Sequence, residues 1–141
     1  MPNKIATDRN SKRAIKELGK LIVKCRENKL SQSKLAEKVG LPRSNMKYIE
    51  DGINAPTAQV YEKLVEVLSP DKKTQIKMDN LYMTIRKVPP PGICKTIIGN
   101  EKLVDALRLL DNCNLTDEQT IALAGLIESF SEDNLRSNFD E

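Results

Sequence analysis

Gln32-Ser33-Lys34-Leu35-Ala36-Glu37-Lys38-Val39-Gly40-Leu41-Pro42-Arg43-Ser44-Asn45-Met46-Lys47-Tyr48-Ile49 carries two helical rhythms divided by a glycine. Leu35, Ala36 and Val39 share one helix face by the three-and-four spacing, and Met46 and Ile49, three apart, share a face on the next segment. Gly40 can take the left-handed backbone that a tight turn requires, and Ala36 is small where two helices must approach most closely. Pro42 falls where a first helical residue is expected, a position at which its missing N–H has no intrahelical partner to lose. Two short helices joined by a tight turn account for the whole pattern. Such a helix-turn-helix points to DNA, its second helix lying in the major groove with its early residues at base edges.

Because Met46 and Ile49 face inward, Arg43, Ser44, Lys47 and Tyr48 take outward or flanking directions, with Asn45 among them. Arg43 can bond guanine O6 and N7 together through its planar fork. Ser44 can donate or accept at any base and so discriminates poorly. Lys47 suits guanine or a phosphate; Tyr48 suits a thymine methyl or a phosphate.

Leu30-Ser31-Gln32, Leu35-Ala36-Glu37-Lys38-Val39-Gly40 and Ile49-Glu50-Asp51-Gly52 resemble the phage-repressor (Cro/cI, XRE) family of helix-turn-helix regulators, over residues 12–68 or about 40% of the chain. The resemblance implies an all-α fold, with a four- or five-helix DNA-binding domain on the N-terminal side and double-stranded operator DNA as partner. It gives Gln32 a backbone phosphate at the start of the second helix, where the helix dipole assists. Asn54 matches a loop that also meets phosphate and is usually more basic in the family. Glu50 matches a glutamate that pairs with an arginine of the first helix, and Arg26 is its candidate partner.

Around this unit the chain continues in the same idiom. Residues 1–13, with Lys4, Arg9, Lys12 and Arg13, read as a basic arm, and Ser11 as the cap of the first helix. Ala14, Leu18, Leu21, Ile22 and Cys25 stripe that helix. Asn28 stands where the family has a closing glycine, as the next residue most tolerant of left-handed backbone. Ser31 and Thr57 read as caps of the second and fourth helices, the third closes at Asp51-Gly52, and Val60, Leu64, Val67 and Leu68 form the buried side of the fourth. Residues 14–68 thus read as the DNA-binding domain. Ser69-Pro70-Asp71 predicts a helix start and a helix over residues 70–87, although Leu81, Met83 and Ile85 also alternate as a short strand would. Pro89-Pro90-Pro91-Gly92 reads as an extended spacer, which makes 69–92 a helix and proline-rich linker.

Residues 93–141 predict an antiparallel helical hairpin. Asn100 caps a helix bearing Leu103, Val104, Leu107 and Leu110. Asp111-Asn112-Cys113-Asn114 turns, and Thr116-Asp117-Glu118-Gln119 is a capping box opening a helix with Ile121, Leu123, Ala124, Ile127 and Phe130. Two such helices leave apolar surface wet, so Leu103, Leu107, Leu110, Leu123, Ile127 and Phe130 are the expected dimer or partner interface. Ser131 to Glu141 reads as a polar, frayed end.

At 141 residues the chain allows one domain or a small domain with an appendage. Residues 1–68 hold 14 Lys/Arg against 8 Asp/Glu, and residues 69–141 hold 9 against 12. A basic front suits a polyanion, and an acidic rear suits protein or solvent. No stretch approaches the roughly eighteen apolar residues of a membrane span, and Met1-Pro2-Asn3-Lys4-Ile5 lacks the hydrophobic region of a secretory signal. Three cysteines without paired spacing fit reduced thiols, so a cytoplasmic setting is expected. The absence of histidine removes a Cys/His zinc site and a histidine base, and neither metal nor cofactor is expected.

The leading expectation is a sequence-specific regulator, a dimeric repressor of phage or mobile-element type, whose rear hairpin aligns two recognition helices. The alternative is an antitoxin or regulatory adaptor whose hairpin binds a toxin, an antirepressor or another protein. An enzymatic, self-cleaving repressor finds little support: Ala124-Gly125 falls inside a helix, and the region beyond the resemblance reads helical, without the strands of a Ser/Lys peptidase. No catalysis is expected.

Overall fold

The computed structural model describes residues 9–139, with side chains to residue 135. The first eight residues of the expected basic arm, Lys4 included, lie outside the described residues. Among the described residues the regular structure is helical, with no strand: α1 (Arg9–Arg26), α2 (Gln32–Val39), α3 (Arg43–Glu50), α4 (Ala58–Leu68), α5 (Lys72–Arg86), α6 (Pro91–Ile98), α7 (Glu101–Leu110) and α8 (Asp117–Phe139). The chain divides into two compact units, Met1–Thr96 and Ile97–Glu141.

In the first unit α1 packs along α5 and across α3 and α4, while α2 packs on α3 and α4. The stripes read from the sequence supply the core: Leu18 and Ile22 of α1, Leu35 and Val39 of α2, Met46 and Ile49 of α3, and Leu64 and Leu68 of α4 are buried. Full burial of a side chain of this size stabilises by about 1.5–3 kcal/mol. On α4 the deepest aromatic is Tyr61, which the expected stripe of Val60, Leu64, Val67 and Leu68 omits; Val60 and Val67 are only half-buried. Tyr61 stacks on Tyr82 of α5, ring centroids 4.5 Å apart, and its hydroxyl donates to Asp79 at 2.5 Å. Desolvation, followed by that hydrogen bond, holds the Tyr61 hydroxyl far above the ordinary phenol range.

The helix ends follow side-chain chemistry. Ser31 accepts from the Lys34 N–H at 3.2 Å and Thr57 from the Val60 N–H at 3.3 Å, so both expected caps are in place. Gly40 closes α2 in the left-handed region, φ 76°, where a side chain would be strained. Pro42 stands one residue before α3, as its N-cap, not as its first helical residue. Ser11 is not a cap. The helix starts earlier, at Arg9, and Ser11 is buried in it. Nor does Asn28 turn left-handed; the backbone after α1 closes through Lys29 and Leu30 N–H groups donating to the Arg26 carbonyl.

Beyond α4 the structure departs further from the sequence reading. Ser69 does not start α5; it ends α4 in left-handed backbone, φ 43°, and Asp71 caps α5 instead, accepting from the Thr74 N–H at 2.7 Å. Hydrogen bonding to Thr74 holds the Asp71 carboxyl below the ordinary carboxylate range. Residues 81–85 are helical, so the strand alternative falls. Met78, Tyr82 and Ile85 are buried, which makes α5 part of the front core and not a linker helix. The triple proline is not an extended spacer either. Lys87 ends α5 in left-handed backbone (φ 59°), Pro90 is buried, and α6 begins on Pro91, whose missing N–H and fixed φ suit a first helical residue. Lys95 of α6 pairs with Glu62 of α4.

In the second unit the caps are as expected. Asn100 accepts from the Leu103 N–H at 3.0 Å, and the capping box is reciprocal: Gln119 N–H donates to the Thr116 hydroxyl at 3.1 Å and Thr116 N–H to the Gln119 carbonyl at 3.0 Å. The expected antiparallel seam does not close. Leu103, Val104, Leu107 and Leu110 are half-buried, yet every described side chain of α8 is exposed, and α7 and α8 do not pack side by side. Ile121 and Leu123, two residues apart, point to opposite sides of α8, and two helices without a third layer cannot enclose a core. The end expected to fray instead continues as helix to Phe139.

Candidate nucleic-acid interface

Met46 and Ile49, only 0% and 6% exposed, fix the rotation of α3 about its own axis. That rotation leaves Arg43, Ser44, Asn45 and Lys47 exposed and Tyr48 46% exposed, along one outward side and the N-terminal end of the helix. The five residues come together as one surface. Lys47 donates to Asp51 one turn later at 2.9 Å, and that hydrogen bond raises its ammonium above the ordinary lysine value.

Behind this surface runs a polar chain through three helices. Arg26 of α1 donates through Nε to Glu50 Oε1 of α3 at 2.6 Å, and Glu50 is 2% exposed in its side chain. Gln32 of α2 donates through Nε2 to the other oxygen of Glu50 at 2.9 Å. Arg43 Nε in turn donates to Gln32 Oε1 at 3.5 Å, the weakest link. The Arg26–Glu50 pair is the one implied by the resemblance. Desolvating a carboxylate is costly, so the pair acts more as a lock on relative helix position than as a large stabiliser. Gln32 has a second role that the sequence did not suggest: it joins the lock to the first residue of α3. Its Nε2 retains a second hydrogen, and its backbone N–H at the start of α2 has no intrahelical partner, so an anion can still be met there.

The far end of α3 is held by backbone contact. A Cβ built on Gly19 of α1 would lie 2.6 Å from the Ile49 and Glu50 carbonyl oxygens, so only glycine lets α1 cross there. Asn54 is exposed in the loop after α3, its N–H donating to the Tyr48 carbonyl at 3.1 Å. Arg86 of α5 clamps the same loop, donating from Nε to the Pro56 carbonyl at 3.1 Å and from Nη2 to the Ala55 carbonyl at 3.2 Å. Neither Gly19 nor Arg86 stood out in the sequence. A glycine on the apolar side of an otherwise aliphatic stripe was the available signal for the first; nothing local marked the second.

The expected rear interface is divided by exposure. Leu103, Leu107 and Leu110 are half-buried within their unit, whereas Leu123, Ile127 and Phe130 stand 38%, 60% and 55% exposed. Among the described residues no group of acidic or thiol side chains is placed to hold a metal ion, and no helix is long and apolar enough to cross a membrane.

Comparison with known proteins places this geometry. Residues 22–69, about a third of the chain, match the family model described as Helix-turn-helix. The match runs from the last turn of α1 through α4 and so contains the whole of the polar chain and of the outward surface. No curated protein and no solved structure matches. Motif, packing and this match mark residues 22–69 as a helix-turn-helix of the phage-repressor (Cro/cI, XRE) type, the DNA-binding unit of a transcription regulator.

Proposed function

We propose that the chain is a sequence-specific repressor that binds its operator as a homodimer, with α3 in the major groove. Arg43 and Ser44 reach base edges, Arg43 as a two-pronged donor to guanine, while Asn45, Lys47 and Tyr48 flank them on base or phosphate. Gln32, at the start of α2, and Asn54, in the loop after α3, meet backbone phosphates. The observation that carries this reading is the outward edge of α3, exposed while the helix is pinned by Glu50, Gly19 and two buried apolar residues. A rigid helix with an exposed polar edge is what direct readout needs.

Footprinting on the DNA flanking the gene for this chain supplies the operator. There Arg43→Ala should cost about 1–3 kcal/mol and loosen base preference at one symmetric pair of positions. Equal losses on operator and random duplex would reduce Arg43 to a phosphate contact. A second reading is supported by the uncovered stripe of Leu123, Ile127 and Phe130. In that reading the rear helices dock a protein such as a toxin or an antirepressor, and DNA binding serves autoregulation. A full-length chain that stays monomeric in sedimentation while co-purifying with an equimolar second protein would favour it.

A further inference from the structure

Lys12, Lys16, Lys20 and Lys24 recur at every fourth position of α1, and all four are exposed. Like charges at this spacing repel along a helix surface, so the ladder weakens α1. The neighbouring acids do not relieve it at the N-terminal end. Glu17 is held by Arg13 at 3.0 Å and Asp51 by Lys47 at 2.9 Å, and among the described residues neither Lys12 nor Lys16 makes an ion pair. Lys20 and Lys24 turn away with the helix toward α5, where they line an open groove with Lys77. Lys16 lies against the loop that follows α3, and Lys12 stands one turn before it on the same face of α1.

Gly52 fixes that placement. It is left-handed, φ 74°, and a Cβ built on it would meet Lys16 at 2.7 Å from Cα and 2.8 Å from Cγ. Backbone and aliphatic stem of Lys16 therefore lie against the loop, immediately beside Ile53 and Asn54, which are both exposed. The loop itself carries no lysine or arginine between Asp51 and Thr57. Eight residues of α3 span about 12 Å, close to the width of a B-DNA major groove, so contacts beyond both ends of the helix bracket the groove. Gln32 reaches Arg43, the first residue of α3, from the start of α2, and Lys16 lies against the loop beyond its last residue.

The geometry points to Lys12 and Lys16 as a second phosphate-binding element that grips the strand passing the C-terminal end of α3. α1 thereby supplies the positive charge that the loop after α3 lacks. This rests on the proposal that α3 enters the groove, and it adds a partner surface outside the helix-turn-helix itself. It predicts a contribution that is blind to base sequence, since only phosphates are met.

The test needs no operator, because binding to random-sequence duplex is carried by phosphates. Affinity of the full chain for such a duplex is measured against salt concentration for the native protein, Lys12→Gln, Lys16→Gln, Lys16→Arg and, as a control of equal charge change, Lys24→Gln. The native chain should show a steep dependence. Each glutamine at 12 or 16 should flatten the log–log slope by about 0.9 and weaken binding about eightfold at about 0.1 M salt. Lys16→Arg should keep the native slope, and so should Lys24→Gln. Equal slopes for the native chain and the two glutamine variants would overturn the assignment while leaving DNA binding intact. A native chain without salt-dependent duplex affinity would overturn the proposed function, and this element with it.

Discussion

Two helices with comparable sequence patterns meet opposite fates. α4 and α8 each begin at a threonine cap and each repeat apolar residues at three-and-four spacing, yet Leu64 and Leu68 are fully buried while Ile127 and Phe130 stand in water. The pattern states a demand for burial. It does not state which chain meets it. In the front unit α1, α2 and α5 converge on the same volume and satisfy α4; α8 has no comparable neighbours within its own unit. Amphipathicity read from a sequence is therefore evidence of an interface, and the structure decides whether that interface lies within the unit.

The contrast can be broken hardest at the polar lock. Arg26→Ala leaves Glu50 buried without its cation, and the front unit should lose about 3–5 kcal/mol in chemical denaturation. A loss below about 1 kcal/mol would mean that water or Gln32 replaces the guanidinium at no cost. Leu64→Ala should follow, at about 2–5 kcal/mol, because truncating a fully buried leucine leaves a cavity in the core. Phe130→Ala is the counterpart and the smallest effect. At low protein concentration it should change stability by less than about 0.5 kcal/mol, since the ring is already 55% exposed. If a second copy or another protein covers α8, the native chain melts at a temperature that rises with the concentration of that partner, and Phe130→Ala abolishes the rise. A concentration-independent melting point in both would leave α8 as a helix with nothing to bind.

Most of the reading unit was legible because its information is local. Ser31, Gly40 and Thr57 act on backbone within three or four residues, and the spacing of Leu35, Val39, Met46 and Ile49 fixes which side of each helix is covered. What escaped was set by distant partners or by competition between neighbouring helix ends. The sequence offered Leu81, Ile85 and Val88 as the stripe with Met78 and Tyr82 alongside, whereas Met78, Tyr82 and Ile85 are the buried face, because which side of α5 is covered depends on the chain folding back onto α1. Ser69 was read forward as a cap and is used backward as a stop, because α4 needs a terminus before α5 needs a start. The prolines at 89–91 were read as stiffness, whereas Pro91 stands where a helix begins. At the site, the candidate residues of α3 were legible from the inward pair Met46 and Ile49. The tie from Gln32 to Glu50 was not, since a glutamine at a helix start suits a phosphate equally well.

α2 and α3 are eight residues each, well short of the roughly 12–15 that a helix needs to persist alone in water. Neither can survive as a remnant once the packing around it lets go. Recognition and folding are then a single cooperative event: on warming, duplex affinity should vanish in step with the melting of the front unit, with no partly gripping intermediate between them. A regulator built this way is either fully able to hold its site or silent, and its operating range ends sharply at its own melting temperature.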